Sequence, residues 1–193
     1  HNNPLRIKNA LTFSTWLFID VMQPFYFDNH IVAFGGPSQN ILYSLSIMPD
    51  GHLRCSWERA GNTFEFISTE PADVVIGSWT QIVMTRDVSN QTVNFYQNGI
   101  QVGEPVAYTQ GPNGGGEGYF KLMESVLDAS HDLDGNIDEV RIFNEALSSE
   151  QIAIQYQSEL NPSSFSYITE GVLLGDSTLG WGDVILTPTE DLA

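Results

Sequence analysis

The chain has 193 residues, 41% of them hydrophobic and 11% aromatic, enough apolar mass for one buried core and too much for a disordered segment. Against 24 Asp and Glu stand only 7 Lys and Arg, a formal net charge of -17. That balance disfavours nucleic acid and anionic membrane surfaces as partners, and no apolar run reaches the roughly 18 residues of a membrane span. Cys55 is the single cysteine, so an intrachain disulfide and a thiolate metal site are both ruled out. No secretory leader is written in the chain, which starts at His1, as an excised or processed product would.

Residues 11–21 open the series of expected elements, with Phe13, Thr15, Leu17 and Ile19 on one face and Trp16 and Phe18 on the other. Both faces are largely apolar, as in a strand of a two-layer sandwich. Strands are expected at 29–34 and 41–48, then at 52–58 after the turn Pro49-Asp50-Gly51, and at 64–68. Residues 79–86 and 92–97 follow, joined by the turn at 87–91. Asn98-Gly99 is the strongest hairpin signal, because a type I′ turn needs positive φ at both central positions, and 100–103 returns from it. Residues 112–116 are a Gly-rich loop and 119–124 another strand.

The stretch 133–144 alternates with a period of two, and Ser148 or Ser149 then caps a short helix with Glu150 and Gln151 in its first turn. That helix is expected near 148–156. About ten short strands at spacings of roughly 8–12 residues, with one helix, predict an all-β, two-sheet antiparallel sandwich. The body is expected over 1–162. Residues 163–193 form a C-terminal extension whose apolar patches predict extra strands on the same sandwich.

Three segments together resemble the laminin-G-like, concanavalin A-type jelly roll of the lectin and glucanase sandwiches. They are 11–19, the hairpin from Ser78-Trp79-Thr80 through Tyr96-Gln97-Asn98-Gly99, and Leu133-Asp134-Gly135-Asn136-Ile137-Asp138-Glu139-Val140-Arg141-Ile142 with the helix after it. The resemblance spans about residues 5–160 and implies two packed sheets, one of them concave, often with calcium near the rim. It departs at Gln97, where the family often has Asp, and in the loop at 111–118. It points to Asp138 as a calcium ligand, with partners from the loop around Asp28 and Asn29; Asp134, two residues before Asn136, completes the expected set. An EF-hand is excluded, since its obligatory glycine is replaced by Ile137.

Catalysis has no positive case in the sequence. A retaining glycosidase needs two facing carboxylates, and Glu58, Glu65 and Glu70 do not make such a set. Asp134 and Asp138 have a suitable spacing, but the metal reading takes precedence there. No Gly-x-Ser-x-Gly elbow is present, and His30, His52 and His131 pair with no acid or nucleophile at a recognisable spacing.

Sugar-binding modules stack rings on glycans, and the ring candidates are Trp57, Tyr43, Tyr119 and Trp181. Trp16 and Trp79 match positions that the family buries. The expected function is a non-catalytic glycan-binding or adhesive module of a secreted or cell-surface protein, holding a structural calcium ion, with a glycan or cell-surface polymer, or another protein, as partner. A structural or protein-interaction domain without a sugar site and a polysaccharide-cleaving enzyme stay open beside it. Asn90-Gln91-Thr92 is a glycosylation sequon in the turn at 87–91.

Overall fold

A computed structural model describes residues 5–22, 29–36, 40–59, 63–72, 74–113, 118–125 and 132–161. These carry ten strands, β1 (Leu11–Val21), β2 (Asn29–Gly36), β3 (Asn40–Ile47), β4 (His52–Arg59), β5 (Thr63–Pro71), β6 (Trp79–Asp87), β7 (Thr92–Gln97), β8 (Ile100–Ala107), β9 (Tyr119–Leu122) and β10 (Asp134–Phe143), then the helix α1 (Ser149–Leu160). The first sheet is ordered β10-β1-β6-β7-β8 and the second β5-β4-β3-β2-β9, all pairings antiparallel. The expected all-β jelly-roll sandwich is what the chain forms.

The core lies between the sheets. Phe13, Leu17, Ile19, Ile82, Met84 and Phe95 of the first meet Phe34, Leu45, Ile47, Cys55 and Trp57 of the second, all buried. Burial pushes the Cys55 thiol up to about 12, so the reactive thiolate is scarce and sterically shielded. Ellman's reagent is therefore expected to titrate no thiol in the native protein and one per chain in denaturant. Prompt reaction of the native protein would overturn this placement of Cys55.

Local chemistry fixes the register. Asn98 and Gly99 both have positive φ, as the hairpin requires, and a Cβ on Gly99 would stand 2.9 Å from the Tyr156 Cβ, so glycine is needed there on two counts. Strand β8 runs four residues beyond the expected end at 103, through Gly103 and Pro105. Pro105 is tolerated because β8 ends the first sheet's strand order among the described residues, so the missing N–H deprives no ladder partner on that side. In β10 a bulge at Glu139, φ 50°, sets two residues opposite Thr15, whose hydroxyl donates to the Asp138 carbonyl at 2.9 Å.

Helix α1 begins where the capping signal places it. Ser148 accepts from the Gln151 amide and the Gln151 side chain accepts from the Ser148 amide. It ends one turn later than expected, at Leu160, because its last turn is bound to the first sheet. Ile152 packs against Val83 and Tyr96, and Tyr156 stacks on Trp16 with ring centroids 5.6 Å apart. Glu159 accepts from Trp16 Nε1 at 2.6 Å and Gln81 Nε2 at 2.9 Å, and pairs with Arg141. The outer face of the first sheet is thus closed over Ser14, Trp16 and Val83. The proposed extra strands at 163–193 lie outside the described residues.

Candidate ligand face on the second sheet

No such helix covers the outer face of the second sheet among the described residues. Cross-strand partners share a face, so the pairings give its layout. One row runs Lys121, Ala33, Ser44 and Ser56, the next His30, Ser46, Arg54 and Ser68. Toward one end Tyr119 pairs with Gly35 and Glu58 with Phe64. The floor is small, hydroxylated and buried, with Ser44, Ser46 and Ser56 at 1, 2 and 7% exposure: Ser44 and Ser56 share a hydrogen bond of 2.7 Å, and Ser46 donates to the Arg54 carbonyl at 3.2 Å. Larger polar groups, Glu58, Arg54 and Lys121, stand along the strands at either side. Gly118 lets β9 come this close, because a Cβ there would lie 2.7 Å from the Gly35 carbonyl carbon. Tyr119 follows at once and is 64% exposed.

Of the four expected ring platforms, Tyr119 alone is placed on this face. Trp57 and Tyr43 are corrected: each is 1% exposed and faces the core. Strand alternation puts Trp57 inward with Leu53 and Cys55, where its Nε1 donates to the Gln110 carbonyl at 2.8 Å and Tyr108 packs edge-on. Tyr43 stacks on Phe34 and donates to the Leu5 carbonyl at 3.1 Å, and burial drives its hydroxyl far above the ordinary range. Trp181 lies outside the described residues. Trp79, matched to a position the family buries, is 47% exposed against Phe18, because it opens β6 beyond the reach of α1; Trp16 is half-buried under Tyr156.

The described members of the expected calcium set, Asn29, Asp134 and Asp138, do not gather. Asn29 is buried in β2 of the second sheet, its amide donating to the Ile47 carbonyl at 3.3 Å. Asp134 and Asp138 are exposed on β10 of the first sheet, four residues and so about 13 Å apart along the strand. Calcium–oxygen distances of about 2.3–2.6 Å do not let one ion take both. The Asp138 carboxylate accepts the Glu139 amide at 2.8 Å, and Glu139 pairs with Arg141. Among the described residues no three or more His, Cys, Asp or Glu cluster in a way that would hold a metal. Asp28 lies outside them.

Glu58 and Glu65 do not face one another either. Glu65 pairs with Trp57 across the strands and points inward, where Arg59 at 2.7 Å and the Thr109 amide at 3.0 Å engage its carboxylate, while Glu58 points outward. The missed residues of the face had a visible signal. In 41–47 the serines at 44 and 46 alternate with Tyr43, Leu45 and Ile47, and Ser56 repeats the pattern between Cys55 and Trp57.

The chain belongs to the family of the concanavalin A-like lectin/glucanases superfamily, whose model matches residues 1–153. Similar solved structures include the carbohydrate-binding module CBM40 of the IT-sialidase from Ruminococcus gnavus, bound to α2,3-sialyllactose. It has a TM-score of 0.65 at 12% identity, over 79% of this chain and 85% of that one. A heptameric SAP-like pentraxin from Limulus polyphemus has a TM-score of 0.56 at 16% identity, over 77% and 70%. Domain 4 of the extracellular arabinanase AbnA from Geobacillus stearothermophilus, in complex with arabinotriose, has a TM-score of 0.54 at 20% identity, over 75% and 65%. No curated protein sequence matches the chain.

Proposed function

We propose that this chain is a non-catalytic glycan-binding module of a secreted or cell-surface protein, taking its ligand on the outer face of the second sheet. One observation carries the reading. The first sheet's outer face is closed by α1, whereas the second carries the part-exposed Arg54, Glu58 and Lys121 and the exposed Tyr119 ring beside a floor of buried serines. Sugars have polar edges and apolar faces, and such a surface offers donors, acceptors and a stacking ring together. The sugar ligands of two similar structures, at low identity, are in keeping with it.

A glycan array, run once with calcium and once with chelator, is expected to return specific hits. Tyr119→Ala should then weaken the strongest hit about 3- to 10-fold, the size of a lost ring contact of about 0.5–1.5 kcal/mol, with an unchanged melting temperature because Tyr119 packs on little. An empty array under both conditions would leave the protein-interaction reading in its place.

A further inference from the structure

We propose that the chain directly after α1, residues 163–174, docks on an apolar patch at the end of the first sheet, built by Phe18, Val75, Ile76 and Trp79. The proposal goes beyond the glycan reading, since the patch lies on the other sheet.

Val75, Ile76 and Trp79 are 47–58% exposed, as are Val21 at the end of β1 and Leu160 at the end of α1. Single exposed apolar residues need no explanation, but these are joined. Trp79 pairs with Phe18 across β6 and β1, their ring centroids 5.7 Å apart. The Gly77 amide donates to the Ile19 carbonyl at 2.8 Å, which holds the turn carrying Val75 and Ile76 against the last residues of β1.

Helix α1 stops one step short of this patch. Its last turn reaches Trp16 and Gln81 through Glu159, and those two are cross-strand partners. The next pair on the same face is Phe18 and Trp79, about 7 Å further along the strands. The chain therefore leaves α1 beside the patch, and Pro162 bars any continuation of the helix across it.

The sequence that follows suits the surface. Residues 161–169 carry no charge and bring Phe165, Tyr167 and Ile168, with Val172, Leu173 and Leu174 after the single acid Glu170. Five residues from Leu160 to Phe165 span up to about 17 Å, ample for a 7 Å step. A tethered segment also acts at a local concentration of order millimolar. A second copy has no such advantage, because two chains of net charge -17 repel.

The test places a thiol on the patch of the full chain, as Val75→Cys or Ile76→Cys, and follows its reaction with Ellman's reagent. Cys55 is buried and adds no background. Val88→Cys, of similar exposure at the far end of β6, is the reference. Both patch thiols are expected to react about 10-fold more slowly than the reference, as a segment docked roughly nine-tenths of the time requires. The combined change Phe165→Asp, Tyr167→Asp, Ile168→Asp should restore the reference rate, and neither rate should vary over a hundredfold range of protein concentration. If that variant unfolds, Cys55 reacts as a second thiol, and the same three positions changed to Ser make the comparison. Patch thiols as fast as the reference would overturn the proposal and leave the patch open to an outside partner. Protection that deepens with protein concentration and survives the Asp changes would overturn it in favour of a second copy.

Discussion

Arg86→Ala is expected to lower stability by about 3–5 kcal/mol, and so the melting temperature by roughly 10 °C in a chain of this length. Arg86 is a buried cation with no carboxylate paired to it among the described residues. Its guanidinium lies 5.3 Å from the Trp57 ring and donates to the Asn9 carbonyl at 2.7 and 3.1 Å and to the Ile7 carbonyl at 3.2 Å. Burial pulls its pKa below the usual arginine value, yet arginine stays charged at any ordinary pH. The ring face and three carbonyl contacts replace water around it. Alanine leaves a cavity between the sheets and strands both carbonyls of the segment before β1. Arg86→Met fills most of that cavity but still strands the carbonyls, so its loss should be about half as large. Arg86→Lys keeps the charge but not the planar fork, and should fall between them. Thermal or urea unfolding measures all three. Equal stability of Met and wild type would mean that the carbonyls find other donors.

Glu159→Ala should be the next most damaging change, costing about 3 kcal/mol. The Glu159 side chain is 7% exposed and gathers donors from three elements: Trp16 of β1, Gln81 of β6 and Arg141 of β10. Within α1, Gln155 also donates to it at 2.8 Å and reaches the Ser14 hydroxyl at the same distance. Removing the carboxylate leaves indole and amide donors buried with nothing to accept them. Arg141 suffers less, since it is one-third exposed and keeps Glu139. The loss should be local before it is global. Hydrogen exchange of the α1 amides is expected to accelerate in Glu159→Ala, while β3 and β4 exchange as in the wild type. Unchanged protection of α1 would show that Ile152 and the Trp16–Tyr156 stack hold the helix unaided.

The fold was legible in the sequence because its strongest signals are local. Asn98-Gly99 needs nothing beyond its own dihedrals, and the Ser148–Gln151 box is complete within four residues. Where a neighbour decides, the reading failed. The return strand was expected over 100–103, yet β8 continues through Pro105, since its place at the end of the sheet order makes the proline harmless. Trp57 and Tyr43 were judged by what tryptophan and tyrosine can do, whereas the parity of their strands, shared with Cys55 and Leu45, already turned them inward. Trp79 failed the other way, through a family position that α1 does not reach. The candidate face was least legible, because its floor is made of serines that are unremarkable singly and meaningful only when three strands bring them abreast.

The two borders of the α1-covered sheet carry a consequence for how molecules of this protein meet. On β8 the imide nitrogen of Pro105 has no hydrogen to offer, and Gly103, at φ 69°, twists the border out of line. On β10 the bulge at Glu139 breaks the spacing of the free amides, and Asp134, Asp138 and Glu139 stand exposed along it. A strand from a second molecule would have to overcome like-charge repulsion and a mismatched ladder to add itself here. The acids that first suggest a metal thus act as gatekeepers against fibre-like growth, a use of negative charge that helps a β-sandwich stay dispersed when crowded.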